Sequence, residues 1–274
     1  MLTAGVNIPT GTTGMDAEQT SVLQVIGAPA LGMPVGALGL GPGGTLGVVG
    51  AHDVGGWALA AGGSFERRSE YTPIELALAT GKSLTKVTPG AAVHATVGAD
   101  RSIGDSRLAF LVVADLYNTD QVVVSSEGTE SPSDFRLGPQ ISALTRLDFG
   151  ATNWRESNLS VAVRRRSSFQ DAAGTTVTGS EGTYVESSLS GVRGGATGVG
   201  LLIGADARYH TGLSFTDALV GAAARAGGVT LGVEIPTSAT LVRLALRGQY
   251  GQLNTGTTSG TGFGASLVFA IAGR

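Results

Sequence analysis

Apolar and polar residues alternate along most of this chain with a period of two. In the segment from Ala239 to Leu253, the apolar residues of one parity are Val242, Leu244, Leu246 and Tyr250. The polar residues of the other parity are Arg243, Arg247 and Gln249. Successive side chains of a strand point to opposite faces. The segment is therefore predicted to be a strand with one apolar and one cationic face.

The same alternation recurs after short polar breaks, so neighbouring segments are predicted to form antiparallel hairpins. Twelve strands are predicted: Thr3–Ile8, Thr45–Val54, Trp57–Tyr71, Val87–Asp100, Arg107–Val124, Phe135–Phe149, Asn158–Phe169, Tyr184–Arg193, Gly200–His210, Ala222–Glu234, Ala239–Leu253 and Phe263–Ile271. The longer connections between them are Thr72–Thr85, Ser125–Ser133 and Asp171–Gly182. No spacing indicates βαβ units.

The segment 12–44 does not follow the alternation. Val22 to Ala51 lacks Asp, Glu, Lys and Arg for 30 residues, but Pro29, Pro34 and Pro42 exclude a membrane-spanning helix. We expect the whole chain, residues 1–274, to form one β-barrel domain in which 12–44 is a long excursion that constricts or plugs one mouth.

Composition favours a membrane barrel over a soluble one. Charged residues make up 14% of the chain, against about a quarter in ordinary soluble proteins, and mean hydropathy is +0.21. Polar strand positions use arginine, and both lysines, Lys82 and Lys86, lie in or beside a connection. Several segments reach the roughly 9–11 residues that a tilted strand needs to cross a bilayer. Aromatic residues near segment ends fit interfacial girdles: Tyr71, Phe149, Trp154, Phe169, Tyr184, Phe215 and Tyr250.

The predicted fold is thus an all-β, antiparallel, up-and-down transmembrane β-barrel of about 12 strands (12–14). A soluble β-sandwich or closed barrel shows the same alternation and stays an alternative. A β-solenoid is a further alternative, although the chain has no fixed short repeat.

A resemblance adds to this interpretation. The opening Gly5-Val6-Asn7-Ile8-Pro9-Thr10-Gly11 is followed by Leu38-Gly39-Leu40-Gly41 and then by Gly55-Gly56-Trp57-Ala58-Leu59. This pattern resembles Gram-negative outer-membrane barrels of the phenol meta-pathway and fatty-acid-transporter-like type. The resemblance implies a channel for small, often apolar molecules. Such chains commonly finish on an aromatic residue, whereas this one finishes on Arg274.

We therefore expect a channel, porin or transporter for small solutes in a bacterial outer membrane, with membrane lipids as its surroundings. Met1 leads into an alternating segment without a recognisable secretory signal. A non-conducting structural barrel and a soluble β-barrel ligand binder are the alternatives, and a homo-oligomer or larger assembly is left open. The formal charge of −3 and the absence of a basic stripe argue against nucleic acid as a partner.

The polar parity supplies the candidate functional residues. Those predicted to line the lumen and set selectivity are Arg136, Arg146, Arg164, Arg166, Arg208, Arg243, Arg247, Asp148, Asp206 and Glu234. Their charges either neutralise one another in an ion-pair network or leave an excess that selects solutes by charge. If acidic partners leave some arginines uncompensated, anions are favoured, and Arg243 and Arg247 are the predicted determinants.

Other chemistry is not supported by the sequence. Gly81-Lys82-Ser83 lacks the earlier glycine of a phosphate-binding loop, because Leu76 stands there. The three histidines share no metal-ligand spacing, and no Gly-x-Ser-x-Gly elbow is present. The prediction is that the protein is not an enzyme and has no metal or other cofactor.

Overall fold

The computed structural model describes residues 1–8, 41–78, 81–126, 128–151, 153–171, 173–194, 198–212, 222–237, 240–255 and 258–273. Throughout these ranges the regular secondary structure is β, and neighbouring strands pair antiparallel. The predicted all-β antiparallel class is therefore confirmed. None of the described residues belongs to a helix long and apolar enough to cross a membrane.

Sixteen strands are present in the described ranges. They are β1 (Leu2–Asn7), β2 (Gly43–Val54), β3 (Trp57–Arg68), β4 (Tyr71–Leu78), β5 (Gly81–Thr88), β6 (Ala92–Ile103), β7 (Ser106–Tyr117), β8 (Asp120–Ser126), β9 (Thr129–Phe135), β10 (Gln140–Ala151), β11 (Trp154–Arg166), β12 (Gly182–Arg193), β13 (Gly200–Thr211), β14 (Ala223–Pro236), β15 (Thr240–Asn254) and β16 (Ser259–Gly273).

Twelve of these strands form one sheet, in the order β1-β2-β3-β6-β7-β10-β11-β12-β13-β14-β15-β16. They correspond one by one to the twelve predicted strands. The prediction of an excursion over 12–44 lies mostly outside the described residues, since 9–40 are not among them. At its far end Gly43 and Gly44 belong to β2 rather than to the excursion.

The large sheet is not closed into a barrel in this structure. Among the described residues, β1 pairs with β2 alone and β16 pairs with β15 alone. Because all eleven pairings between them are antiparallel, β1 and β16 run in opposite directions. The predicted barrel is thus seen as an open sheet of the predicted strand number, with two unpaired edges of 6 and 15 residues.

The remaining strands correct two predicted connections. Thr72–Thr85 and Ser125–Ser133 were expected to be loops, but they contribute to a second sheet in the order β4-β5-β8-β9. Each of these strands continues a strand of the large sheet after two to four residues: β4 follows β3, β5 precedes β6, β8 follows β7 and β9 precedes β10. Since β3, β6, β7 and β10 are neighbours in that order, the second sheet extends four adjacent strands beyond one rim. We call it the rim extension.

Two of these strands contain a proline, which makes them resemble loops in the sequence. Pro73 and Pro132 lie in the two edge strands of the rim extension, where a residue without an N–H is tolerated. The prediction of one strand over Arg107–Val124 was wrong, because β7 and β8 are separate strands of different sheets. The predicted strand Phe135–Phe149 begins later, at Gln140, because a break separates the end of β9 at Phe135 from β10. Gly138 lies in the break, where a Cβ atom would be 2.1 Å from the carbonyl oxygen of Ser167.

The register places the apolar parities of neighbouring strands side by side. Leu46 lies opposite Phe65, which lies opposite Val93 on the next strand. Leu231, Leu246 and Leu267 form a similar row. These side chains are exposed, with Leu267 at 70%. Among the described residues, buried hydrophobic side chains are limited to Phe169, Val192, Ala222 and Ala245. The apolar face of the sheet is therefore not covered by a protein core.

Candidate functional site

The ion-paired side chains of the large sheet share its other face, and this face is concave. Five further arginines share the apolar parity, each within three residues of a strand end: Arg67, Arg101, Arg165, Arg193 and Arg225. Glu156 on β11 accepts a hydrogen bond from Nη2 of Arg243 on β15. These strands are four places apart in the sheet, which corresponds to about 19 Å in a flat sheet. The two side chains meet because the sheet curls around them. We call this concave polar face the interior.

Nine of the ten predicted lining residues lie on strands of the large sheet and on its interior face. The exception is Arg136, which lies between β9 and β10. Its backbone bridges to Gln170, and its Nε donates to the carbonyl oxygen of Tyr117 at 3.2 Å. Arg136 therefore belongs to the rim rather than to the strand wall.

Short turns join β2 to β3, β6 to β7, β10 to β11 and β14 to β15 at one end of the sheet, which we call the short-turn end. The interior at this end is organised around Arg243. Its Nε donates to Oε2 of Glu234 at 2.5 Å, and the Glu234 side chain is fully buried. Glu156 is the second carboxylate of this cluster and was not predicted. It lies at a β-bulge, where register shifts between Arg155 and Asn158, and its φ of 54° is unusual for a residue other than glycine. Glu156 thus faces inward like Asn158 and Arg164, which have the same parity, and it does so across the bulge.

Midway along the interior, Arg247 binds Asp206 with both nitrogens of its fork. The distances are 2.6 Å from Nη1 to Oδ1 and 2.8 Å from Nη2 to Oδ2. Strand β14 separates the two residues, and Gly228 on this strand lies directly opposite Asp206. A Cβ atom there would be 2.8 Å from Nη2 of Arg247. Glycine is what leaves room for this bidentate pair.

The pair Arg146–Asp148 is more exposed. Its Nε–Oδ1 distance is 2.8 Å, and its side chains are 58% and 37% exposed. Both residues line a recess of about 550 Å³ that also includes Trp154, Glu156 and Arg243.

Three arginines lie at the rim-extension end of the interior: Arg164, Arg166 and Arg208. Arg208 lies 3.3 Å from Glu186. Arg166 donates through Nη2 to the carbonyl oxygens of Ser180 and Gly212, at 3.1 and 3.3 Å. Arg164 lies over the ring of Tyr184, with its Cζ 5.3 Å from the ring centroid. The side chain of Tyr184 thus belongs to the interior and not to an outer aromatic girdle, and Phe215 lies outside the described residues.

His94 and two carboxylates form a cluster close to this end, and this cluster was not predicted as a site. Nδ1 of His94 is 2.7 Å from Oδ1 of Asp115, and its Nε2 is 3.6 Å from Oε2 of Glu66. Gln140 donates to the other oxygen of Asp115 at 3.1 Å. The three residues share the polar parity of β3, β6 and β7, but their contacts depend on a register that the sequence does not give. In the described part of the chain, no group of His, Asp or Glu side chains is arranged to hold a metal ion.

Two carboxyl groups outside the large sheet have altered proton affinity. Burial raises the pKa of Asp120, an effect that the N–H of Gly90 partly offsets by donating to Oδ1 at 2.7 Å. The pKa of Glu181 is lowered, first by its own backbone N–H and then by the hydroxyl of Ser168, which lies 3.0 Å from Oε2. The rim extension therefore contains an acid that holds its proton to higher pH than a solvated aspartate does.

Comparison with known proteins adds no identity: no family model, curated protein sequence or solved structure matches this chain. Any function must accordingly be argued from the uncovered apolar face, the concave polar interior and their residues.

Proposed function

We propose that the chain is a bacterial outer-membrane β-barrel that conducts small solutes through a polar interior. The observation that carries the proposal is the large exposed apolar face of the twelve-stranded sheet. A soluble domain of 274 residues would bury such residues against a core. Here large apolar side chains such as Leu46 and Leu246 remain 67% and 59% exposed, which suits contact with lipid.

Closure of the sheet is part of this proposal. In hydrocarbon an unpaired strand edge costs several kcal/mol for each unsatisfied backbone group. β1 and β16 run in opposite directions, so they have the relative orientation that an up-and-down barrel of even strand number requires. Both expose apolar residues, with Leu2 at 85% and Phe263 at 84%.

The interior then supplies a pathway for polar solutes. Its ion pairs are distributed along its length, from Arg243 at one end through Arg247 to Arg208 at the other. Charged residues that line a pore set its selectivity. Membrane lipids and small solutes are the partners that this arrangement fits.

A specific observation favours the second candidate, a non-conducting structural barrel. The contact between Glu156 and Arg243 bridges strands four places apart and fills part of the interior. If similar contacts persist in the membrane, the lumen is packed rather than open.

The experiment is refolding into liposomes and into detergent-free buffer, followed by single-channel recording. We expect folding to require lipid or detergent and to produce discrete conductance steps. Folded protein in lipid without conductance would support the structural barrel. Stable monomeric folding in buffer alone would support a soluble binder and contradict the proposal.

A further inference from the structure

An apolar patch lies on the interior face of strands β7, β10 and β11. Leu111 and Leu144 lie directly opposite each other on β7 and β10, and Leu144 also lies opposite Ala162 on β11. Both leucines are exposed, at 38% and 41%. They line a recess of about 220 Å³ together with Val113, Ser142, Arg164 and Tyr184. We call it the Arg164 recess.

A guanidinium group and an aromatic ring border this patch. Arg164 lies opposite Ser142 on one side and opposite Tyr184 on the other. Its charge is stacked on the Tyr184 ring, at 5.3 Å. Among the described residues, no carboxylate lies within ion-pair distance of Arg164. The recess thus combines an apolar floor with one cation available to a ligand.

The neighbouring charges do not neutralise Arg164. Glu186, two residues beyond Tyr184 on β12, accepts the hydroxyl of Tyr184 at 2.5 Å and is 3.3 Å from Arg208. Asp115 is engaged by His94 and Gln140. Arg164 is therefore the cation of the recess with which an anionic ligand can pair.

We propose that the Arg164 recess binds a compact organic monocarboxylate, with an aromatic acid as the best-fitting class. The carboxylate would pair with the guanidinium of Arg164, which presents a planar fork of donors. The apolar body would lie on Leu111 and Leu144 beside the Tyr184 ring. A volume of about 220 Å³ is below the roughly 300–1,000 Å³ of sites for drug-sized ligands, so a single ring fits and a long chain does not. The inference rests on the proposed function in that the solute would reach the recess through the lumen.

Binding is tested by equilibrium dialysis of folded, detergent-solubilised protein with radiolabelled benzoate. The matched probes are benzyl alcohol, which keeps the ring without the charge, and acetate, which keeps the charge without the ring. We expect saturable binding of benzoate and much weaker binding of both probes. Arg164→Gln should weaken benzoate binding by about tenfold or more, because a charge-assisted hydrogen-bonded pair is lost. Arg164→Lys should retain part of the affinity.

Arg107→Gln is the matched control for loss of one positive charge. Arg107 pairs with Asp100 at the short-turn end and is 63% exposed, so benzoate affinity should be unchanged. No saturable benzoate binding by the folded parent, or parental affinity in Arg164→Gln, would overturn the site. Because dialysis does not require conduction, binding without single-channel currents would leave the site standing and reject the channel. Single-channel currents without benzoate binding would support the channel and overturn the site.

Discussion

At the residue scale, the interior ion pairs differ mainly in how much water surrounds them. The side chains of Arg247 and Asp206 are 29% and 13% exposed and meet through one hydrogen bond and a second close contact between their charged groups. Those of Arg146 and Asp148 are 58% and 37% exposed and adjoin on a single strand. Water screens the second pair more strongly, so the two pairs should contribute unequally to the free energy of unfolding.

A double-mutant cycle measures this difference. With Asp206→Asn and Arg247→Gln, we expect a coupling free energy of about 1–2 kcal/mol, from urea titration of the protein refolded in lipid. The same cycle with Arg146→Gln and Asp148→Asn serves as the control and should give less than about 0.5 kcal/mol. Equal couplings for both pairs would show that the geometry around Gly228 has no energetic consequence.

Replacing Arg243 and Arg247 together by Gln tests selectivity. The two arginines contact Glu234, Glu156 and Asp206, so these carboxylates would lose their counter-charges. We therefore expect the anion/cation permeability ratio to fall, as charged linings predict. The measurement is the reversal potential in a salt gradient. An unchanged reversal potential in the folded variant would assign the two arginines to packing alone.

At the element scale, the sequence predicted best where alternation is strong and predicted least where contacts between distant segments decide. β15 was predicted as Ala239–Leu253 and is Thr240–Asn254. The prediction came close because Val242, Leu244 and Leu246 alternate with the charged residues of this strand. The rim extension was missed because Pro73 and Pro132 made β4 and β9 resemble loops. Glu156 was missed because the predicted strand began at Asn158, whereas β11 begins at Trp154 and continues through a bulge that has no fixed sequence signal. Register is likewise set by partner strands, so the pairing of His94 with Asp115 was beyond sequence reasoning.

The face assignment of β15 is tested by single arginine substitutions. Leu244 and Leu246 lie on the apolar face and are 44% and 59% exposed. If they face lipid near the bilayer midplane, Leu244→Arg and Leu246→Arg should each destabilise the protein by roughly 2–4 kcal/mol. Gln249→Arg, on the interior face of the same strand, is the control. On a water-exposed surface all three changes would stay within about 0.5 kcal/mol, and that outcome would reject the assignment.

The rim extension should show an acid-dependent stability of its own. The pKa of Asp120 is raised in the folded state by burial, so the folded protein holds this proton more tightly than the unfolded chain. Its contribution is therefore fully present below the unfolded-state pKa and is lost as pH rises through the folded-state pKa. We expect hydrogen exchange in β8, corrected for the intrinsic effect of pH, to quicken over that window.

Asp120→Asn should flatten this dependence while keeping an acceptor for the N–H of Gly90. Asp134→Asn, at an exposed position of β9, removes the same charge and should leave the pH dependence in place. A parental pH profile in Asp120→Asn would mean that another group controls opening of the rim extension.

At the scale of the whole molecule, two faces of one sheet require two different surroundings. The convex face exposes apolar side chains in rows that run from strand to strand, and the concave face gathers ion pairs and the Arg164 recess. A closed barrel in a bilayer satisfies both faces at once, with lipid outside and water inside. The proposal of a membrane barrel depends on this difference between the convex and the concave face.

Thiol labelling along β16 in liposomes tests that difference most directly. The chain has no cysteine, so single cysteines can be placed in turn at the six positions 264–269. We expect a charged, membrane-impermeant thiol reagent to label Gly264→Cys, Ser266→Cys and Val268→Cys, which face the interior. Ala265→Cys, Leu267→Cys and Phe269→Cys should stay unlabelled until the liposomes are dissolved and the protein is unfolded in denaturant. Equal labelling at all six positions of the folded protein would contradict a lipid-facing apolar surface and a water-filled interior.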